Sequence, residues 1–185
     1  MRHSDVTYIA IGIRINSSPH FLLLRHKKWA DWSLVGGHVE PFEGGHWAAA
    51  AVRETQEELP PLQHRREFLL VPIFSTPVVW GPEISRSAGN RETMYQAQFF
   101  AMEFLEDPPS IFSKLASDDL RLVPQVELEH WYELATPIRI LSQRLRGGLT
   151  SIPLAWSESV SKTALPPRLF EPISARHEQK AETLA

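Results

Sequence analysis

Arg53, Glu54, Glu57 and Glu58 fall within a six-residue stretch. Residues three and four apart share one side of a helix, so Glu54, Glu57 and Glu58 project together. Ala48, Val52, Thr55 and Leu59 would lie roughly opposite as a thin apolar back. Arg53 precedes Glu57 by one helical turn, close enough to pair with it. Three carboxylates on one face repel one another, and protons or a divalent cation must offset them. An all-oxygen donor set of this kind suits Mg²⁺, with Mn²⁺ as an alternative. Taken alone, an acidic helical run is usually a solvated face. What precedes the run decides the matter: a glycine pair Gly36-Gly37, an acidic turn Glu40-Pro41-Phe42-Glu43, and a second glycine pair Gly44-Gly45.

The chain that must position these groups has 185 residues, 43% of them hydrophobic and 22% charged, enough for one domain with a full core. A net charge of −3 argues against a generally basic nucleic-acid surface. No cysteine occurs, which excludes disulfides and thiolate-bound zinc. The first fifteen residues lack the pattern of a signal peptide and no apolar run reaches membrane-spanning length, so a cytoplasmic location is the default expectation. Phosphate-binding P-loops, dinucleotide glycine fingerprints, GxSxG elbows and HExxH zinc helices are all absent.

Residues 6–15 are rich in β-branched side chains and predict one buried strand, turned by Asn16-Ser17-Ser18-Pro19 into a second over 21–25. A helix is expected from His46 or Trp47 to Leu59, with Gly44-Gly45 outside it. Residues 68–80 predict a bent or edge strand interrupted at Pro72 and Pro77. A loop over 81–90, a strand over 93–105 and a long connection over 110–124 follow. A last helix opens at Thr136-Pro137, carries Ile138, Leu141 and Leu145, and stops at Gly147-Gly148. Residues 149–173 show no assignable period and 174–185 read as a frayed polar tail. The pattern alone gives an α+β protein.

The order of glycine, acidic turn and helix resembles the signature of the Nudix hydrolase family. Gly37 stands five residues before Glu43, and Arg53-Glu54 with Glu57-Glu58 match the charged positions of that signature. Nine residues rather than the family's seven separate Glu43 from Arg53, Thr55 replaces a larger apolar residue, and Pro60 replaces a glycine. Trp32-Ser33-Leu34-Val35 resembles the segment that feeds such a box. The resemblance implies an α/β/α sandwich with a mixed β-sheet over residues 1–148, followed by an extension over 149–185. It implies that Glu54, Glu57 and Glu58 bind Mg²⁺ or Mn²⁺ with the backbone carbonyl of Gly36 or Gly37, that Arg53 orients the glutamates, that Glu43 braces the loop and that Glu40 lines the site. The reaction implied is hydrolysis of a diphosphate linkage in a nucleoside diphosphate joined to another group. A Nudix-fold module that binds a nucleotide or a protein without catalysis is the alternative. Glu127 and Glu129 are the candidates for a general base, with Glu103 and Glu106 behind them. Trp29 and Trp32 offer rings that could stack on a base, although Trp32 reads more readily as packing. His38 and His46 lack a partner at ligand spacing. A nucleotide-type small molecule is the expected partner, no membrane is expected, and a homodimer is allowed.

Overall fold

Asn16 and Ser17 hold left-handed backbones, with φ of 46° and 71°, and reverse the chain in two residues between β2 (Gly12–Ile15) and β3 (Ser18–Arg25). A two-residue reversal needs positive φ at both positions to match the twist of the flanking strands. The computed structural model describes residues 1–27, 31–85, 88–115, 117–128, 136–145 and 148–173. The single strand expected over 6–15 is two strands in two sheets. β1 (Arg2–Ala10) ends one residue before β2, and the fully buried Ile11 is the corner, its carbonyl accepting from Leu22 N at 2.8 Å. The apolar run over residues 9–13 hides such a corner, because residues on both sides of it are buried whichever sheet they join.

The first sheet runs β5-β1-β8-β6, with β5 spanning Val35–His38, β6 Phe68–Pro72 and β8 Arg91–Phe104. β7 (Val78–Ser85) also pairs β8. β1 is parallel to β8 and antiparallel to β5, so the sheet is mixed. The expected bent strand over 68–80 is thus split. Pro72 and Pro77 carry no amide proton, the chain leaves the ladder between them, and it returns as a strand that continues through residues 81–85, where a loop was expected. The second sheet runs β10-β2-β3-β4, where β4 is Trp32–Ser33 and β10 is Ser159–Val160, and β9 (Leu120–Pro124) pairs β3. The connection expected over 110–124 instead holds α2 (Pro108–Lys114) and β9; Asp107 caps α2, accepting from Ser110 N at 2.9 Å.

Alternation along β1 and β8 sends side chains to two cores. Ile9, Phe100 and Met102 face α1 (Trp47–Glu58), where Ala51 and Leu59 meet them. Ala10, Phe99 and Ala101 face α4 (Thr136–Arg144), through Ile138 and Leu141. The first sheet therefore lies between helices as an α+β sandwich. The segment after residue 148 is packed into the same body. Leu149, Ile152, Ala155, Val160, Leu165 and Leu169 are buried, β10 adds to β2, and Phe104 N donates to Ala155 O at 2.7 Å. Residues 174–185, expected as a tail, lie outside the described residues. Among the described residues no helix is long and apolar enough to cross a membrane.

Candidate active site

Gly44 and Gly45 both adopt left-handed φ, 59° and 80°, and lift the chain out of the tight turn Pro41–Glu43 before α1 begins at Trp47. The two extra residues of the box are thus taken up ahead of the helix. Leu59 closes α1 with its N–H on Thr55 O at 2.8 Å, and Pro60-Pro61 prevent continuation.

The buried stripe of α1 differs from the expected one. Ala50, Ala51, Thr55 and Leu59 are buried, whereas Ala48 is exposed and Val52 half-buried. The stripe is rotated, so Glu54 and Glu58 fall on its side of the helix, between Ala50 and Ala51, instead of standing opposite. Thr55 tolerates full burial because its hydroxyl donates to Ala51 O at 2.7 Å. The side chain of Glu54 is only 13% exposed against 59% for Glu57, so the array has a desolvated half and a solvated half.

Arg53 binds the parts together. Its Nε donates to Glu43 Oε1 at 3.0 Å, Nη1 to Glu54 Oε1 at 2.8 Å and Glu57 Oε2 at 3.1 Å, and Nη2 to the His38 carbonyl at 2.8 Å and Glu43 Oε2 at 3.3 Å. Glu43 also accepts from Glu40 N at 2.7 Å, tying the acidic turn to the helix. Glu58 is held from the glycine side, accepting from Gly36 N at 2.9 Å. Gly36 is required by close approach of backbone, and Gly37 by the seat of the Glu54 carboxylate. A Cβ on Gly36, at φ 142°, would lie 2.1 Å from the Thr7 carbonyl, and one on Gly37 would lie 2.5 Å from Glu54 Oε1.

The hydrogen bonds from Arg53 hold the Glu43 carboxyl below the usual range. Burial raises Glu54 against the pull of Arg53. Glu58 is pushed up to about 7, by burial first and then by Glu54 and Glu57, with the Gly36 N–H opposing. Three carboxylates, Glu43, Glu54 and Glu57, share one guanidinium, and Glu58 lies outside its reach. That oxygen-rich, under-neutralised set, against a glycine strand, has the donor chemistry with which Glu54, Glu57 and Glu58 could hold a hard divalent cation. Among the described residues no three acidic or imidazole side chains surround one point, and Arg53 draws Glu57 toward itself.

The other candidates fall elsewhere. Glu127 is exposed on α3 (Gln125–Leu128), where its charge bears on His20 of the second sheet; no hydrogen bond or ion pair among the described residues joins it to the array. Glu129 and Trp29 lie outside the described residues. Glu103 is exposed opposite Leu69, and Glu106 is paired with Lys114 at 2.7 Å. Trp32 is half-buried with the Arg121 guanidinium 5.4 Å from its ring centroid. His46 precedes the helix exposed, and burial lowers the half-buried His38. Sequence reasoning passed over Tyr8. It pairs with Gly36 across the ladder, stacks on Phe99 at 5.6 Å, and burial raises its hydroxyl strongly, with Tyr95, Glu83, Glu58 and Glu54 adding to the effect. Its strand position was legible, but the register that sets it opposite the glycine was not.

A family model of the NUDIX domain matches residues 6–135, most of the chain and the whole of this constellation. The chain belongs to the NUDIX domain family. At the level which that family fixes, it is a Nudix pyrophosphohydrolase. Among solved structures it is similar to the Ap4A hydrolase of C. elegans, with 18% identity over 76% of this chain and 94% of that one and a TM-score of 0.51. It is also similar to NrtR of Shewanella oneidensis, with 14% identity over 76% of this chain and 63% of that one and a TM-score of 0.50. At such identities the likeness is one of fold. No curated protein matches the chain. The Nudix box therefore keeps all four of its charged helical residues, while its glycine loop is two residues longer than the family pattern.

Proposed function

We propose that this Nudix protein holds Mg²⁺, or Mn²⁺ in its place, on Glu54, Glu57 and Glu58, and hydrolyses the diphosphate linkage of a nucleoside diphosphate joined to a second group. The observation that carries the reading is the Arg53 fork. It fixes Glu43, Glu54 and Glu57 in one array and leaves the half-buried Glu58 without a cationic partner in that array. A bound divalent ion would neutralise charge on the phosphate oxygens and acidify water. The protein's own residues do the rest. Arg53 and Glu43 lock the loop to the helix, Gly36 and Gly37 let the strand approach the carboxylates, and the Glu40 N–H braces Glu43. In the reaction the oxygen of water bonds to one phosphorus, the bridging oxygen leaves with the other phosphate, and the protons of water pass to solvent or to a base.

The test is a panel of nucleoside triphosphates, nucleotide sugars, dinucleoside polyphosphates and coenzyme derivatives with magnesium, read by phosphate or monophosphate release. Glu57→Gln and Glu58→Gln are expected to lower turnover by about 10² or more with the fold retained. Full activity in both variants would refute the assignment. Glu127→Gln and Glu129→Gln, compared side by side, test whether either is the base, whose loss would cost on the order of 10² in kcat, and equal small losses would remove both.

A further inference from the structure

Besides the face that carries Glu54 and Glu58, α1 turns a second face outward. Ala48, Ala49 and Val52 form a wall of methyl groups there, and Leu70 of β6 stands across from them. Gln56 and His64 add an amide and an imidazole, and Arg53 with Glu57 closes the end next to the array. The cleft is open to solvent on one side and has a volume of about 780 Å³, within the roughly 300–1,000 Å³ range of small-molecule sites. Long charged side chains normally cover a solvated helix face, and the exposed alanines here leave it open.

Glu57 belongs to both places. It stands at the boundary, 3.1 Å from Arg53 Nη1 and largely exposed, so the array and the cleft meet at this carboxylate. What the cleft can receive follows from its charge. Arg53 is the one cation on its walls among the described residues, and all five of its donors are engaged by Glu43, Glu54, Glu57 and the His38 carbonyl. Burial and the neighbouring Arg65 hold His64 below its usual value, leaving the imidazole uncharged at neutral pH. A further phosphate would find no unengaged cation among the described residues that line the cleft, and a carboxylate at its entrance. A neutral ring with hydroxyl or amide edges would find methyl surface for its faces and Gln56 and His64 for its edges.

We propose that this cleft receives the group esterified to the far phosphate, and that this group is an uncharged sugar or nucleoside ring and not a terminal phosphate. The inference rests on the diphosphate hydrolase reading and deepens it. With magnesium, the wild-type protein should then use a nucleotide sugar or a dinucleoside polyphosphate with kcat/KM about tenfold or more above that for the matching nucleoside triphosphate. Ala49→Trp, which fills the cleft from an exposed helical position, should shrink that preference by about tenfold, chiefly through KM. Ala49→Leu serves the same comparison if the tryptophan lowers the melting temperature. Preference for the triphosphate in the wild type, or equal losses on both substrate classes in both variants, overturns the inference and leaves the hydrolase reading standing. If the wild type cleaves neither class, or Glu57→Gln keeps full activity on both, the hydrolase reading itself falls and takes this inference with it. Which of the two bulky substrates is preferred separates a sugar from a nucleoside.

Discussion

Arg53 spends all five of its N–H donors on the site, four on carboxylates and one on a backbone carbonyl. A lysine keeps the charge but not the planar fork, and so cannot span Glu43 on one side and Glu54 with Glu57 on the other. Arg53→Lys is expected to cost about 10² in kcat with the circular dichroism spectrum unchanged, since small misplacements of catalytic groups have effects of that size. Steady-state kinetics decides it, and a loss below threefold would mean the fork is dispensable. Part of this network was legible beforehand. The pairing of Arg53 with Glu57 follows from helical spacing alone. The bond from Gly36 N to Glu58 and the closeness of Gly37 to Glu54 were not legible, because they appear only when the strand folds back onto the helix. The fate of Trp32 was hidden for a similar reason: the cation over its ring, Arg121, comes from a strand far along the chain.

At the scale of elements, the longer loop and the glycine strand make different demands, and substitution separates them. Gly45 has left-handed φ but nothing within 4 Å of an added Cβ, so Gly45→Ala should cost only backbone strain, about 1–2 kcal/mol, with hydrolysis retained. Gly37→Ala would drive its methyl against the Glu54 carboxylate, whose flexible end can move aside. Hydrolysis should then fall about tenfold or more at a nearly normal melting temperature. The reverse pattern in denaturation and activity assays would contradict this account of the loop. The start of α1 was readable because two adjacent glycines break a helix whatever surrounds them. Its buried face was not. Alanines stand on every side of the first turns, and only packing against the sheet selects Ala50 and Ala51 over Ala48. The division of residues 6–15 between two sheets was invisible for the same physical reason, since every apolar position remained apolar on either side of the corner.

At the scale of the whole molecule, the segment after residue 148 holds the second sheet from outside. Glu171 meets Arg121 Nη2 at 2.7 Å, and Phe170 packs edge-on against His20 while Lys162 lies 4.6 Å from the Phe170 ring centroid. Its short turns and prolines give no period, which is why the sequence reveals little of its packing. Burial lowers the His20 pKa, with the Ser18 carbonyl and Glu127 opposing and Lys162 reinforcing. A histidine depressed on folding adds stability above its unfolded value, near 6.5, and that contribution is lost as pH falls through the folded value. The melting temperature should therefore decline as pH drops below about 6.5, and His20→Gln should flatten that part of the curve. An unchanged slope in the variant would assign the decline to other groups. The first sheet sets a different constraint, on synthesis. Thr7 donates to the carbonyl of Gln98, 91 residues further on, and β1 pairs with β8 along its whole length. On the ribosome β1 therefore emerges long before its parallel partner, and the glycine strand, which pairs β1 on the other side, has to hold it in the meantime. A nascent chain stalled before β8 leaves the exit tunnel should thus present an open strand edge to chaperones, and one stalled well after it should not.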